Sequence, residues 1–137
     1  MHTELFVWKP SYSVRIDKLD AQHKKLIELI NRLQGAVTTG RDRTVVAGVL
    51  TELISYSNTH FAEEERRMTA CEFRGLKEHM LLHDTFTRRI RRFLAAYQTG
   101  SPALTQEVLT YLKSWLVEHI ETVDQRYVPA LLGQAAA

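Results

Sequence analysis

Five of the six histidines in this 137-residue chain fall, with two carboxylates, where a helical fold must turn them inward. The set is His23, the pair His60 and Glu64, the pair His79 and His83, and His119 followed by Asp124. Side chains four residues apart share one helix face, so each of the two spaced pairs points one way. Each member continues an apolar stripe. Leu19, Ile27 and Ile30 run with His23, and Leu53 and Ser57 lead to His60. Leu76, Met80 and Phe86 surround His79 and His83, and Leu112, Trp115 and Leu116 lead to His119. A lone histidine on such a stripe is ordinarily a satisfied core residue. Seven polar groups spread over four stripes are another matter, because each gives up water on burial and must find a replacement partner. The chain is constrained to gather four helices around one polar centre.

The repeats at three and four residues define those helices. They predict helices over residues 18–37, 42 or 43 to 68, 73–97 and 102–127. Thr38-Thr39-Gly40 closes the first, since glycine accepts the left-handed closing conformation. Gly100 follows the third, and Ser101-Pro102 reads as N-cap and first residue of the fourth. Four such helices with short links predict an all-α, up-down-up-down four-helix bundle. Residues 1–17 differ: Phe6, Trp8, Pro10 and Tyr12 suggest an extended N-terminal arm whose aromatics pack onto the bundle. The expected organisation is arm 1–17, bundle 18–132 and a frayed tail 133–137. His2 falls outside the pattern and is expected to be exposed.

Composition excludes several classes. The net charge of +2 is too small to imply nucleic acid or a membrane surface. No apolar run approaches the roughly 20 residues that span a bilayer. The N-terminus lacks the cationic start and apolar run of a signal peptide. The single cysteine, Cys71, cannot form an intrachain disulfide or a thiolate metal cluster, so the expected compartment is a reducing cytoplasm.

Imidazole nitrogens with carboxylate oxygens suit first-row metals, iron among them. Seven such groups exceed the needs of one ion and match two. Asp124 lies five residues past His119, about 140° round an ideal helix. It joins the others only from a different direction or through a locally widened turn, and a carboxylate bridging two metals fits the offset. The paired Glu-x-x-His motifs of ferritin-like bundles are absent, as is His-Glu-x-x-His. The dipeptide His83-Asp84 permits a different reading, a helical HD-type metal phosphohydrolase with His60 and Asp124 as companions. That reading leaves His23, Glu64, His79 and His119 unexplained and places Asp84 beside the inward stripe.

The complete pattern resembles the hemerythrin family, and more closely its single-domain bacterial members, the bacteriohemerythrins. The resemblance rests on Trp8-x3-Tyr12, Asp20-Ala21-Gln22-His23-Lys24, His60-Phe61-x2-Glu64-Glu65-x2-Met68, His79-x3-His83-x2-Phe86 and Trp115-Leu116-x2-His119-Ile120-x3-Asp124. These stretches span nearly the whole chain. Arg15 departs from the pattern, for members commonly carry glycine there, and this puts the local turn of the arm in doubt.

The resemblance implies two non-haem iron ions. One would be held by His79, His83 and His119, the other by His23 and His60. Glu64 and Asp124 would bridge them together with an oxo or hydroxo oxygen from solvent. The first iron then has six ligands and the second five, which leaves a position open for a diatomic ligand. In the family that ligand is dioxygen, bound reversibly, and the implied role is oxygen carrier, store or sensor. Leu26, Ile27, Phe61, Trp115 and Leu116 are expected to wall the open position, and each also has a plain core-packing reading. The alternative is a di-iron enzyme that consumes dioxygen, peroxide or nitric oxide on the same scaffold. No catalytic side chain is assigned. An oxygen-consuming recipient protein is an implied partner.

Other features carry less. Arg88, Arg89, Arg91 and Arg92 read as a solvated face. Glu63 and Glu65 are expected to face water and to pair with Arg66 and Arg67. Asp20, Gln22 and Glu118 are candidates to orient the ligating rings, and Cys71 falls in a link between helices.

Overall fold

A computed structural model describes residues 6–40, 42–100 and 104–133. The described chain contains α1 (Asp17–Thr38), α2 (Arg43–Ala70), α3 (Leu76–Gln98) and α4 (Leu104–Glu118). From Glu118 the chain continues through a π-helical turn (His119–Val123), a 3-10 turn (Asp124–Tyr127) and a last short helix, α5 (Val128–Leu131). Helix α1 packs on α2 and α4, and α3 packs on the same two, which closes an antiparallel four-helix bundle. None of the described helices is long and apolar enough to cross a membrane.

The helix ends follow from local chemistry. Asp42 caps α2 by accepting the Val45 N–H at 3.0 Å. At its other end the Phe73 N–H returns to the Met68 carbonyl and the Glu72 N–H to Thr69, while Glu72 takes a positive φ of 54°. This is a Schellman closure in which Phe73 packs with Met68, and it delays α3 to Leu76 instead of the expected residue 73. Gly40 closes α1 at φ 69°, as its sequence position requires. The expected cap at Ser101-Pro102 and residues 134–137 of the expected frayed tail lie outside the described residues, as does His2.

The arm is well anchored where it is described. The Asn31 side chain accepts the Phe6 N–H and donates to the Phe6 carbonyl, both at 2.8 Å. Trp8 meets the edge of Tyr12 and lies under the Lys24 ammonium. Asp20 of α1 holds the next segment, accepting from the Val14 N–H at 2.8 Å and the Ser13 hydroxyl at 2.6 Å. The Gln125 amide donates to the Ser13 carbonyl, and Ser11 donates to Glu121. The arm thereby ties the start of α1 to the irregular end of the fourth helix.

The apolar interior is divided. The larger cluster includes Leu26, Ile27, Ile30, Leu53, Phe61, Phe86, Ile90, Leu112, Leu116 and Ile120. The smaller holds Val14, Leu19, Met68, Tyr127 and Val128, with Ile16, Phe73, Leu76 and Leu131 packed against it. On α1 His23 falls between Leu19 of the smaller cluster and Leu26 of the larger, on α2 Glu64 falls between Phe61 and Met68, and on α3 His79 and His83 fall between Leu76 and Phe86. Met80, counted on the inward stripe of α3, is instead 44% exposed, being one position past the buried His79.

Arg15 occupies the left-handed region at φ 60°, the conformation that glycine takes without penalty. A residue with a Cβ loses about 1–2 kcal/mol there, and glycine returns about 0.4–1 kcal/mol of that through its freer unfolded chain. Arg15→Gly should therefore raise stability by about 0.5–1 kcal/mol. Urea denaturation measures this, and an unchanged or lower midpoint would show that Arg15 makes a compensating contact.

Candidate metal centre

Five imidazoles and two carboxylates meet between the two apolar clusters, each at most 3% exposed. Helix α1 supplies His23, α2 supplies His60 and Glu64 one turn apart, and α3 supplies His79 and His83 one turn apart. The π-helical turn supplies His119, and Asp124 follows it. The Asp124 N–H bonds back to the His119 carbonyl, five residues earlier, so the turn is widened by one residue. That extra residue brings Asp124 back to the face of His119. Their side chains meet at 3.0 Å, from His119 Nε2 to Asp124 Oδ1. The fourth helix therefore departs from the continuous α-helix that its sequence period suggests.

The seven donors form two overlapping groups. One contains Glu64, His79, His83, His119 and Asp124; the other contains His23, His60, Glu64 and Asp124. Asp124 spans them: Oδ1 lies 3.0 Å from His79 Nε2, and Oδ2 lies 3.0 Å from His23 Nε2. Glu64 does the same with one oxygen, Oε1 lying 3.2 Å from His83 Nε2 and 3.4 Å from His60 Nε2. Its other oxygen lies 3.5 Å from His23 Nε2 and accepts a 2.5 Å hydrogen bond from the Tyr127 hydroxyl.

Hydrogen bonds on the far side of the rings fix which nitrogen faces inward. His60 Nδ1 lies 2.7 Å from Gln22 Oε1, and His83 Nδ1 lies 2.7 Å from Glu65 Oε2. Both partners are acceptors, so Nδ1 carries a proton, and Nε2 is the nitrogen that each ring, once neutral, would offer to a metal at the centre. His83 Nε2 also lies 3.2 Å from His119 Nε2, which lies 3.1 Å from His79 Nε2. A metal ion seated among these nitrogens would take the lone pair of each.

The donor set passes a direct test for metal. His23 Nδ1 and Nε2, Glu64 Oε1 and both Asp124 carboxylate oxygens are buried without an aligned hydrogen bond. At about 1–3 kcal/mol for each unsatisfied group, the four of these atoms that face the centre, all but His23 Nδ1, would cost about as much as a whole domain's net stability. Donors at neighbouring corners of an octahedron with bonds of about 2.1 Å sit about 3.0 Å apart, which is the spacing found among these atoms. Imidazole and carboxylate are also the right donors for a first-row metal.

Charge follows the same logic. Burial works against the charged form of His23 and of His83. The close carboxylates of Asp124 and Glu64 outweigh it at His23 and push that ring up to about 10. Glu64 and Glu65 push His83 up to about 9. At His60 burial prevails over the pull of Glu64, and the ring falls below its ordinary range. Burial would raise Glu64 and Asp124, yet the surrounding imidazoles hold both below the ordinary carboxylate range. Burial first, then Asp124 and Glu64, drives the Tyr127 phenol well above its usual range, so it remains a donor.

The expected neighbours divide. Gln22 orients His60, whereas Asp20 serves the arm. Glu65, expected to face water and pair with an arginine, instead reaches α3 and binds His83. It is Glu63 that takes Arg66 and Arg67. Tyr127 escaped the sequence reading altogether. The phosphohydrolase reading fails at Asp84, which is exposed and paired with Arg88 at 2.9 Å. Phe61 stacks on His83 at 3.9 Å between ring centres, and Trp115 stacks on His119 at 4.3 Å. Leu26, Ile27 and Leu116 are buried in the same apolar cluster as Phe61, and Trp115 packs against it.

Bundle and donors together define a metal-binding four-helix protein with a dinuclear type of site. The family model described as Hemerythrin HHE cation binding domain matches residues 14–131, and the chain belongs to the hemerythrin family. It is 34% identical to a bacteriohemerythrin of Stenotrophomonas maltophilia over 96% of this chain and 87% of that protein. It is 31% identical to a myohemerythrin of Riftia pachyptila over 89% of this chain and 90% of that protein. A crystal structure of wild-type hemerythrin superposes with a TM-score of 0.82 at 26% identity, covering 93% of this chain and 98% of the other.

In a metal-free preparation near neutral pH, His23 and His83 lie below their raised values and carry protons. A metal needs their lone pairs, so loading must expel those protons, and acid must weaken binding. Anaerobic addition of ferrous iron to a weakly buffered solution should release at least two protons per chain from these rings, with a further one for each water that becomes a hydroxo bridge, read with a pH indicator. Release of fewer than two protons would mean that these rings are already neutral.

Proposed function

We propose that this chain binds dioxygen reversibly at a pair of non-haem irons and serves as an oxygen carrier, store or sensor. The observation that carries the reading is the pair of donor groups that share Glu64 and Asp124 but differ by one imidazole. His79, His83 and His119 hold one iron in this reading, and His23 and His60 hold the other. Glu64 and Asp124, shared by both donor groups, would be held in common by the two irons. The group with three imidazoles would be the more completely supplied with donors, and the group with two would keep room for a small ligand. When bound, a ferrous pair would supply the two electrons that uptake of dioxygen requires.

The residues do the rest by holding and excluding. Gln22 and Glu65 fix the rings of His60 and His83, and the Tyr127 hydroxyl holds Glu64 from the smaller apolar cluster. Leu26 and Ile27 lie one turn along α1 from His23, Phe61 adjoins His60, and Trp115 and Leu116 lie one turn before His119. These five form the wall of the open position in this proposal. They admit a small apolar gas, keep water out and offer no acid to the bound ligand. No side chain is assigned a catalytic role. A reducing cytoplasm fits the lone Cys71, and an oxygen-consuming protein fits as recipient.

A visible spectrum with an iron assay tests the function. The protein is reduced without air, exposed to oxygen and purged with inert gas. A charge-transfer band at two irons per chain that appears with oxygen and fades on purging is the expected result; oxygen consumption with direct decay to the oxidised form would indicate an enzyme. Replacing Glu64 or Asp124 with alanine should bring iron below two per chain, and retention of a coupled pair would defeat the ligand assignment. Leu116→Trp should slow ligand entry by filling the wall, and unchanged stopped-flow rates would place Leu116 away from the open position.

A further inference from the structure

His60 and His83 turn the same atom, Nε2, toward the centre and hand the opposite nitrogen to different chemistry. The partner of His60 Nδ1 is the neutral amide of Gln22, at 2.7 Å. The partner of His83 Nδ1 is the carboxylate of Glu65, also at 2.7 Å. Glu65 is not consumed by the neighbouring cations, because Glu63 takes Lys18, Arg66 and Arg67. Its placement is also mechanically defined. Phe61 and Glu65 stand four residues apart on α2, and His83 is held by both, stacked on the Phe61 ring at 3.9 Å and bonded to Glu65. The bond lies at the edge of the buried centre, since the Glu65 side chain keeps 26% of its surface exposed while His83 keeps 3%.

An anionic acceptor draws the Nδ1 proton toward itself and leaves negative charge on the ring, so Nε2 becomes a stronger donor. A neutral amide orients a ring with far less transfer of charge. Stronger donation favours the ferric over the ferrous state, and hydrogen bonding around ligands is a known lever on the potential of an iron site. We propose that Glu65 is a positioning residue that also sets a redox difference between the two irons. It makes the His79–His83–His119 iron the easier one to oxidise, while Gln22 leaves the His23–His60 iron comparatively rich in the ferrous form. The inference rests on the ligand assignment above.

The test exchanges charge without changing shape. Glu65→Gln keeps an acceptor against His83 and removes its charge; Gln22→Glu places a charge against His60. Full-length wild type and variants are loaded with ferrous iron without air, and iron content is measured. The two one-electron midpoints are followed spectroelectrochemically, and Mössbauer spectra of the half-oxidised protein identify the ferric site. In Glu65→Gln the ferric-to-ferrous ratio of the three-histidine iron at fixed potential should fall about tenfold, a rise of about 59 mV in its midpoint. Gln22→Glu should move the other midpoint the opposite way. Two irons per chain with unmoved midpoints in both variants would overturn the inference and leave Glu65 a purely structural partner. If Glu65→Gln fails to hold two irons, Gln22→Glu decides, and an unmoved midpoint there overturns the inference. Wild type that cannot hold two irons would overturn the ligand assignment itself, a different failure read in the iron assay before any potential is measured.

Discussion

Glu64 and Asp124 are wholly buried carboxylates at the middle of a helical bundle, and the rest of the molecule answers to them. A charge in that position survives only when other groups neutralise and orient it. Five imidazoles converge on the two acids from all four helices, and Tyr127 donates a further hydrogen bond to Glu64. The demand explains why the fourth helix abandons regular α geometry at His119. A regular turn would carry Asp124 away from the centre, and the widened turn returns it. The arm in turn is fastened to the irregular stretch by the bonds of Ser11 and Ser13 with Glu121 and Gln125.

The convergence of five imidazoles and two carboxylates was legible in the sequence because helix periodicity converts spacing into direction. His60 with Glu64 and His79 with His83 needed only the rule that residues four apart share a face. The five-residue step from His119 to Asp124 was legible as an anomaly with two physical solutions, and the structure adopts the wider turn. Bundle topology followed from four periodic stretches and short links. The start of α3 did not, because its delay depends on Glu72 accepting a left-handed conformation that sequence rules reserve mainly for glycine.

The hydrogen-bond partners of these side chains were harder to read. Glu65 lies a single residue past Glu64, so its direction relative to its own helix suggested solvent. Its actual partner stands on α3, and only the relative placement of α2 and α3 reveals it. Tyr127 lies 63 residues from Glu64, beyond two changes of helical geometry that shift its phase. Asp20 and Gln22 looked equivalent as neighbours of His23, yet the fold sends one to the arm and the other to His60. Periodicity reports which way a side chain leaves its own helix and says nothing of what waits there.

The division of the interior into two apolar clusters has a mechanical consequence. Most four-helix bundles are held by one continuous seam, along which loosening at one end weakens the next layer. Here the seam is interrupted by a layer whose cohesion comes from coordination and charge. The two ends of the molecule communicate across that layer, and whatever occupies it acts as a rivet between two short bundles. Metal bound in that layer would therefore join the two ends of the bundle as well as serve as a binding site.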